Sequence, residues 1–175
     1  MSSIGQSLAK GVNKVDNQHP WPSPAQGWYA VSILVIAYIF SFIDRTIIAL
    51  LVEPIKQDLQ ISDFGIGLLQ GLAFAIFYAL VGIPIGRLAD RYSRRRIITA
   101  GIFLWSLMTA ACALAKSFMS LFLVRVGVGI GEAALSPSAY SMISDLFPRE
   151  KLGRATGFYS AGAFLGLGIA FLTSG

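Results

Sequence analysis

The chain has 175 residues, 55% of them hydrophobic and only 13% charged, with a mean hydropathy of +0.66. Soluble globular domains carry roughly 25% charged residues, so composition excludes an ordinary water-soluble enzyme, and the missing charge is missing in long blocks that read as membrane-spanning helices. The basic excess, Lys+Arg 14 against Asp+Glu 9, lies between those blocks, which fits the cytoplasmic side of a bilayer and not a nucleic-acid partner.

Residues 1–27 read as a polar cytoplasmic tail. It holds the only histidine, His19, and Pro20, Pro22 and Pro24 exclude a continuous helix there. Ile4, Leu8, Val12 and Val15 recur at helical spacing beside Lys10 and Lys14. A disordered tail is expected, with a short helix on the membrane surface as the alternative. The first apolar block begins near Trp28, too late and too long for a signal core, and no small-residue cleavage site follows. It reads as an uncleaved first span.

Five helices are expected in a transmembrane bundle over residues 28–175. The first spans about 28–51, with Trp28 and Tyr29 at the headgroup level. The second spans about 64–85, with Ser62 or Asp63 as its N-cap. The third and fourth span about 97–115 and 118–143. Their connection is so short that they should be antiparallel neighbours. The fifth spans about 155–175 and is still apolar where the sequence stops. Gly67 and Gly71, Gly127 and Gly131, and Gly162 and Gly166 are spaced four apart, a pattern that predicts close helix approach.

Lys10, Lys14, Arg87, Arg91, Arg94, Arg95, Arg96, Arg149, Lys151 and Arg154 fall on one side of these spans, and only Lys56 and Lys116 on the other. The asymmetry predicts a cytoplasmic N-terminus in a multi-pass protein of the plasma membrane, the inner membrane in a bacterium. The lone cysteine, Cys112, rules out an intrachain disulfide, and no Cys/His metal spacing occurs. No metal site, cofactor or catalytic residue is expected.

Asp44, Arg45, Arg125 and Glu132 lie within the spans. Each costs roughly 2.5–3.5 kcal/mol or more at the centre of a lone span, so they should face a protein interior or watery cavity and pair. From helical rise, Asp44 and Arg125 lie ~7 and ~8 Å outward of their helix midpoints, which permits an ion pair between the first and fourth helices. Seven residues return to nearly the same helix face, so Glu132 shares the Arg125 face two turns further inward. Arg45 is one step around from Asp44. Four ionisable groups exceed what helix register needs, and predict a proton-dependent switch rather than a static pair. An anionic substrate group is a further candidate ligand for Arg45 or Arg125.

The segment joining the second and third helices reads Gly86-Arg-Leu-Ala-Asp90-Arg91-Tyr-Ser-Arg94-Arg95-Arg96. It closely resembles the loop signature of the major facilitator superfamily, with Ser93 in place of the usual second glycine. The resemblance implies that Gly86, Asp90, Arg91 and Arg94 help lock one conformation by contacting a second helical bundle. The fourth helix carries Arg125-Val-Gly127-Val-Gly129-Ile-Gly131-Glu132, similar to an arginine–glycine signature of the same family linked to proton coupling. It does not read as a nucleotide loop, because no strand precedes it and it sits in an apolar span. Pro137 is expected to kink this helix.

Phe42-Ile-Asp44-Arg45-Thr46, Gly131-Glu132-Ala and Ser144-Asp-Leu-Phe-Pro148-Arg-Glu resemble the spinster-like branch. That branch includes exporters of sphingosine-1-phosphate and lysophospholipids and bacterial members of uncertain substrate. The resemblance implies proton coupling at Asp44, Arg125 and Glu132, and substrate binding at Arg45, Arg125 and Glu132. It also implies two six-helix bundles, of which this chain supplies an incomplete first one. The expected function is secondary, proton-coupled transport of an organic, amphiphilic anionic or lipid-like substrate. Its expected partners are the bilayer, protons, the substrate and a C-terminal bundle outside this chain. The competing reading is a truncated membrane protein that does not transport and acts as an assembly or regulatory subunit.

Overall fold

A computed structural model describes residues 21–174, and every regular element among them is helical. The expectations for Lys10, Lys14 and His19 lie outside these residues.

Helix α1 (Pro24–Leu50) begins four residues before the expected Trp28. The Ser23 hydroxyl accepts from the Gln26 N–H while the Gln26 side chain accepts from the Ser23 N–H, and Pro24 takes the first helical position, where its missing N–H is no loss. Pro24 therefore starts the helix that it was expected to interrupt. A short helix, α2 (Val52–Leu59), follows unforeseen and ends at Gln60, whose φ of 53° is left-handed.

The second span is composite. Ser62, not Asp63, caps α3 (Asp63–Gly67) by accepting from the Gly65 N–H. A π-helical turn, Leu68–Leu72, then leads into α4 (Ala73–Arg91). The helix thus runs through most of the arginine-rich signature, and only Tyr92 and Ser93 lie outside helix before α5 (Arg94–Cys112) begins. Ser93 has φ −61° and ψ 108°, an ordinary extended conformation, so the position does not require glycine.

The fourth span is broken. It comprises α6 (Phe118–Glu132) and α7 (Leu135–Leu146). The expected kink falls at Ala133–Ala134, because a proline ring clashes with the carbonyl four residues back, and for Pro137 that residue is Ala133. The last helix, α8 (Arg149–Ser174), starts a turn and a half before the expected Ala155. The Pro148 carbonyl accepts from the Lys151 and Leu152 N–H groups there.

Four of these spans, Pro24–Leu50, Asp63–Arg91, Phe118–Leu146 and Arg149–Thr173, are long and apolar enough to cross a membrane. α5 falls short because Arg94, Arg95 and Arg96 occupy its first turn. Large apolar side chains, including Phe40, Phe64, Phe103, Phe164 and Leu172, face outward. In water such a surface would aggregate; in lipid it is the solvated face.

α1 packs along α8, with Val31, Leu34 and Val35 buried against Ala155 and Tyr159 and against Leu135, Ala139 and Ile143 of α7. Glycines set the spacing. A Cβ on Gly166 would lie 2.6 Å from the Ile39 carbonyl, and one on Gly131 would lie 2.6 Å from the Trp105 nitrogen. α5 and α6 are antiparallel neighbours through that second contact. Gly67 and Gly71 depart from the expected close packing: they are exposed and a Cβ on either meets nothing within 4 Å, because the face they share is turned away from the other helices.

Candidate functional site

The polar residues of α1 that follow its buried upper turns point at α6. Ser41, Asp44 and Arg45 span just over one helical turn, and α6 answers with Arg125 and, seven residues on, Glu132. Two charge clusters result, one above the other.

In the first, Arg125 Nη1 lies 3.6 Å from Asp44 Oδ2, with the side chains 4% and 14% exposed. This is the pairing that the estimated depths allow. The separation makes it an ion pair without a hydrogen bond. Arg125 is deeply buried and also lies against the Phe74 ring, 5.8 Å from its centroid.

The second cluster was not foreseen as a pair. Glu132 Oε2 accepts from the Ser41 hydroxyl at 2.9 Å and from Arg45 Nε at 2.5 Å, and Arg45 Nη2 also lies 2.5 Å from the same oxygen. Glu132 is fully buried, whereas the Arg45 side chain keeps 28% exposure. Three aromatic rings surround the guanidinium: Phe74 at 4.6 Å, Tyr78 at 5.1 Å and Phe42 at 5.3 Å. Such rings hold a cation through their negative faces, and they hold the Arg45 guanidinium beside Glu132. Sequence reasoning missed Ser41, Phe74 and Tyr78. Ser41 could have been found from its spacing, one turn before Arg45. Phe74 could not, because its direction is set by the π-turn two residues upstream, which shifts the phase of everything after it.

Among the described residues, Asp44 Oδ2, Arg125 Nε and Nη1, Glu132 Oε1 and Thr109 Oγ1 are buried without a hydrogen-bond partner. Native proteins leave few such atoms, and a cluster of them asks for an explanation beyond folding. One carboxylate oxygen of Glu132 is saturated while the other is free, an arrangement that can accept a proton. Arg45, whose side chain is 28% exposed, can accept an anion. The site has no companion cluster of His, Cys, Asp and Glu able to hold a metal ion among the described residues.

The arginine-rich segment lies apart from this site. Gly86 faces Pro137, with 3.9 Å between its would-be Cβ and the proline ring. Arg94 Nε donates to the Ser141 hydroxyl at 2.7 Å, and its Nη1 pairs with Asp145. This ties the start of α5 to the end of α7. Asp90 and Arg91 do not join that contact; they line an open cleft of about 660 Å³ with Arg87, Leu88 and Tyr92.

Residues 34–175 match the family model described as Major Facilitator Superfamily. The chain is 32% identical over 169 residues to a sphingosine-1-phosphate transporter of Xenopus tropicalis, covering 95% of this chain and 32% of that protein. It is 32% identical over 141 residues to the protein of Escherichia coli (strain K12) named "Probable L-galactonate transporter", covering 81% and 31%. Its backbone superposes with a TM-score of 0.83, at 44% identity, on the inward-facing, unoccupied crystal structure of a bacterial homolog to the human lysosomal transporter Spinster, covering 87% of this chain and 32% of that one. The chain therefore spans about a third of the length of these relatives.

Proposed function

The chain belongs to the Major Facilitator Superfamily, in its spinster-like branch, a family of multi-pass membrane transporters rather than enzymes, and on that premise we propose that it forms part of a proton-coupled carrier of an organic anion, amphiphilic or lipid-like. The observation that carries this reading is Glu132. It is fully buried, held through one oxygen by Ser41 and Arg45 and left without a partner on the other.

In the deprotonated state Glu132 neutralises Arg45. A proton on Glu132 removes that charge, and the guanidinium is left in its aromatic box with its fork open to an anionic headgroup. Proton and anion then favour each other's binding, which is the coupling a gradient needs. Asp44 and Arg125 form a second such pair two turns outward, with Arg125 too enclosed in this conformation to meet a substrate directly. Both named relatives carry anions in their printed names, a phosphate ester and a sugar acid, which supports the anion class.

Alternating access needs a second bundle to rock against the first, and we assign Asp90 and Arg91, exposed at the cleft on α4, to contact with it. The basic asymmetry supports a cytoplasmic location for the arginine-rich turn in the plasma membrane. The test is uptake or efflux in proteoliposomes by a carrier containing this segment and a C-terminal bundle. Glu132→Gln and Asp44→Asn should each lower gradient-driven transport by about 10- to 100-fold while exchange at equal pH persists. Undiminished gradient-driven transport in both variants would overturn the proposal.

A further inference from the structure

Between α4 and α5 lies a crevice of about 410 Å³ that the transport site does not use. Its walls are Ile85 and Leu88 from α4 and Ile97, Ala100 and Leu104 from α5, and its floor is the crossing of Gly101 with Gly131 and Ala134. The crevice exists because those small residues let α5 sink onto the fourth span, where a Cβ on Gly101 would lie 2.5 Å from the Ala134 Cβ. α4, which meets the fourth span further along, is left standing away from α5. The walls are apolar over their whole length, ~12 Å from Arg96 to Leu104 at helical rise, and only the end beside the turn is polar, where Tyr92, Ser93 and Arg96 close it.

The charge at that end is one-sided. α5 opens on three consecutive arginines with no acidic residue in its first turn, so the positive end of the helix dipole adds to the side-chain charge instead of offsetting it. Arg94 is neutralised by Asp145. Among the described residues Arg95 and Arg96 make no ion pair, and the Ser93 hydroxyl makes no capping bond. Asp90, the acidic residue of α4, lines the adjoining cleft, which shares Leu88 and Tyr92 with the crevice, but it does not line the crevice itself.

The geometry points to a binding site for one anionic phospholipid, its acyl chain in the α4–α5 crevice and its phosphate on Arg96. A membrane-exposed apolar groove ending in an uncompensated cation at headgroup level matches that ligand in shape, polarity and charge.

Native mass spectrometry of the intact chain in detergent, with phosphatidylglycerol or phosphatidylcholine of matched acyl chains, tests the site. Phosphatidylglycerol should be retained about fivefold better, the factor expected of one basic residue at the headgroup. Arg96→Gln should abolish that preference without altering phosphatidylcholine retention. Arg95→Gln removes the same charge one step around the helix and should keep the preference. Ala100→Trp fills the crevice and should lose the phosphatidylglycerol adduct. Equal retention of the two lipids by the unmodified chain, equal effects of Arg95→Gln and Arg96→Gln, or an Ala100→Trp variant that still holds phosphatidylglycerol would each overturn the assignment. So would a photo-crosslinker at position 100 that captures a protein and not a lipid.

Discussion

α1 makes two seams of opposite character. Toward α8 it is dry and close: Gly162 and Gly166 bring the backbones together under Val35 and Ile39, and the Tyr38 ring stacks on Tyr159 with centroids 4.6 Å apart. Toward α6 it is charged and under-bonded, with Ser41, Asp44 and Arg45 facing Arg125 and Glu132. The first seam has one good arrangement, since interdigitated small residues tolerate no slip. The second leaves Asp44 Oδ2, Arg125 Nη1 and Glu132 Oε1 buried without hydrogen-bond partners. One helix thus presents a closely packed face on one side and a charged, incompletely bonded face on the other.

The comparison breaks most severely at the dry seam. Gly166→Leu must push α8 away from Ile39 and Phe42 and should cost about 3 kcal/mol or more, read as a lowered melting temperature in detergent. Gly168→Leu, two residues on in open space, should stay within about 0.5 kcal/mol. If both variants melt alike, the seam is not the rigid element.

At the charged seam the losses should be smaller in stability and larger in function. Glu132→Ala leaves Arg45 unanswered. Removing one partner of a buried pair costs about 3–5 kcal/mol, and the 28% exposure of Arg45 should hold the loss to about half of that. Ser41→Ala removes one hydrogen bond to a charged group and should cost about 1.5 kcal/mol. Arg45→Lys keeps the charge but loses the fork and much of the ring contact. It should cost about 1 kcal/mol in stability and weaken an anionic substrate about tenfold.

The smallest effect lies outside both seams. Asp63 pairs with Lys56 beyond the end of α1 and raises the lysine pKa above its ordinary 10.5. A raised folded-state value means the contribution is fully present below the ordinary lysine pKa and fades as pH rises through the folded one. Lys56→Gln should therefore lower melting slightly at neutral pH, where the contribution is fully present, and converge with the unmodified chain on the alkaline limb of the pH profile.

Much of the charged seam could be read from the sequence, because charges in apolar blocks are rare and helix geometry fixes their depth and phase. Asp44, Arg125 and Glu132 needed no more than that. The Arg45–Glu132 contact was not legible, since a long side chain can reach back across a turn and its rotamer depends on neighbouring rings. The helix breaks were harder still. Pro137 announces a kink but displaces it to Ala133, so that Glu132 closes α6. The π-turn at Leu68–Leu72 carries no proline and no charge to announce it. The dry seam was half legible: glycine spacing marked Gly162 and Gly166 correctly and Gly67 and Gly71 wrongly, because spacing reports a face without saying what it meets.

Phe74 touches both guanidinium groups, Arg45 and Arg125, immediately downstream of that wide turn. Were the extra residue of the turn to migrate, the ring would swing by about 100° and quit both cations in one stroke. Two sites a full 10 Å apart along the helix, by about 1.5 Å for each of seven residues, would then be geared to a single shaft. Deleting one residue at 68–72 is the way to strip that gear.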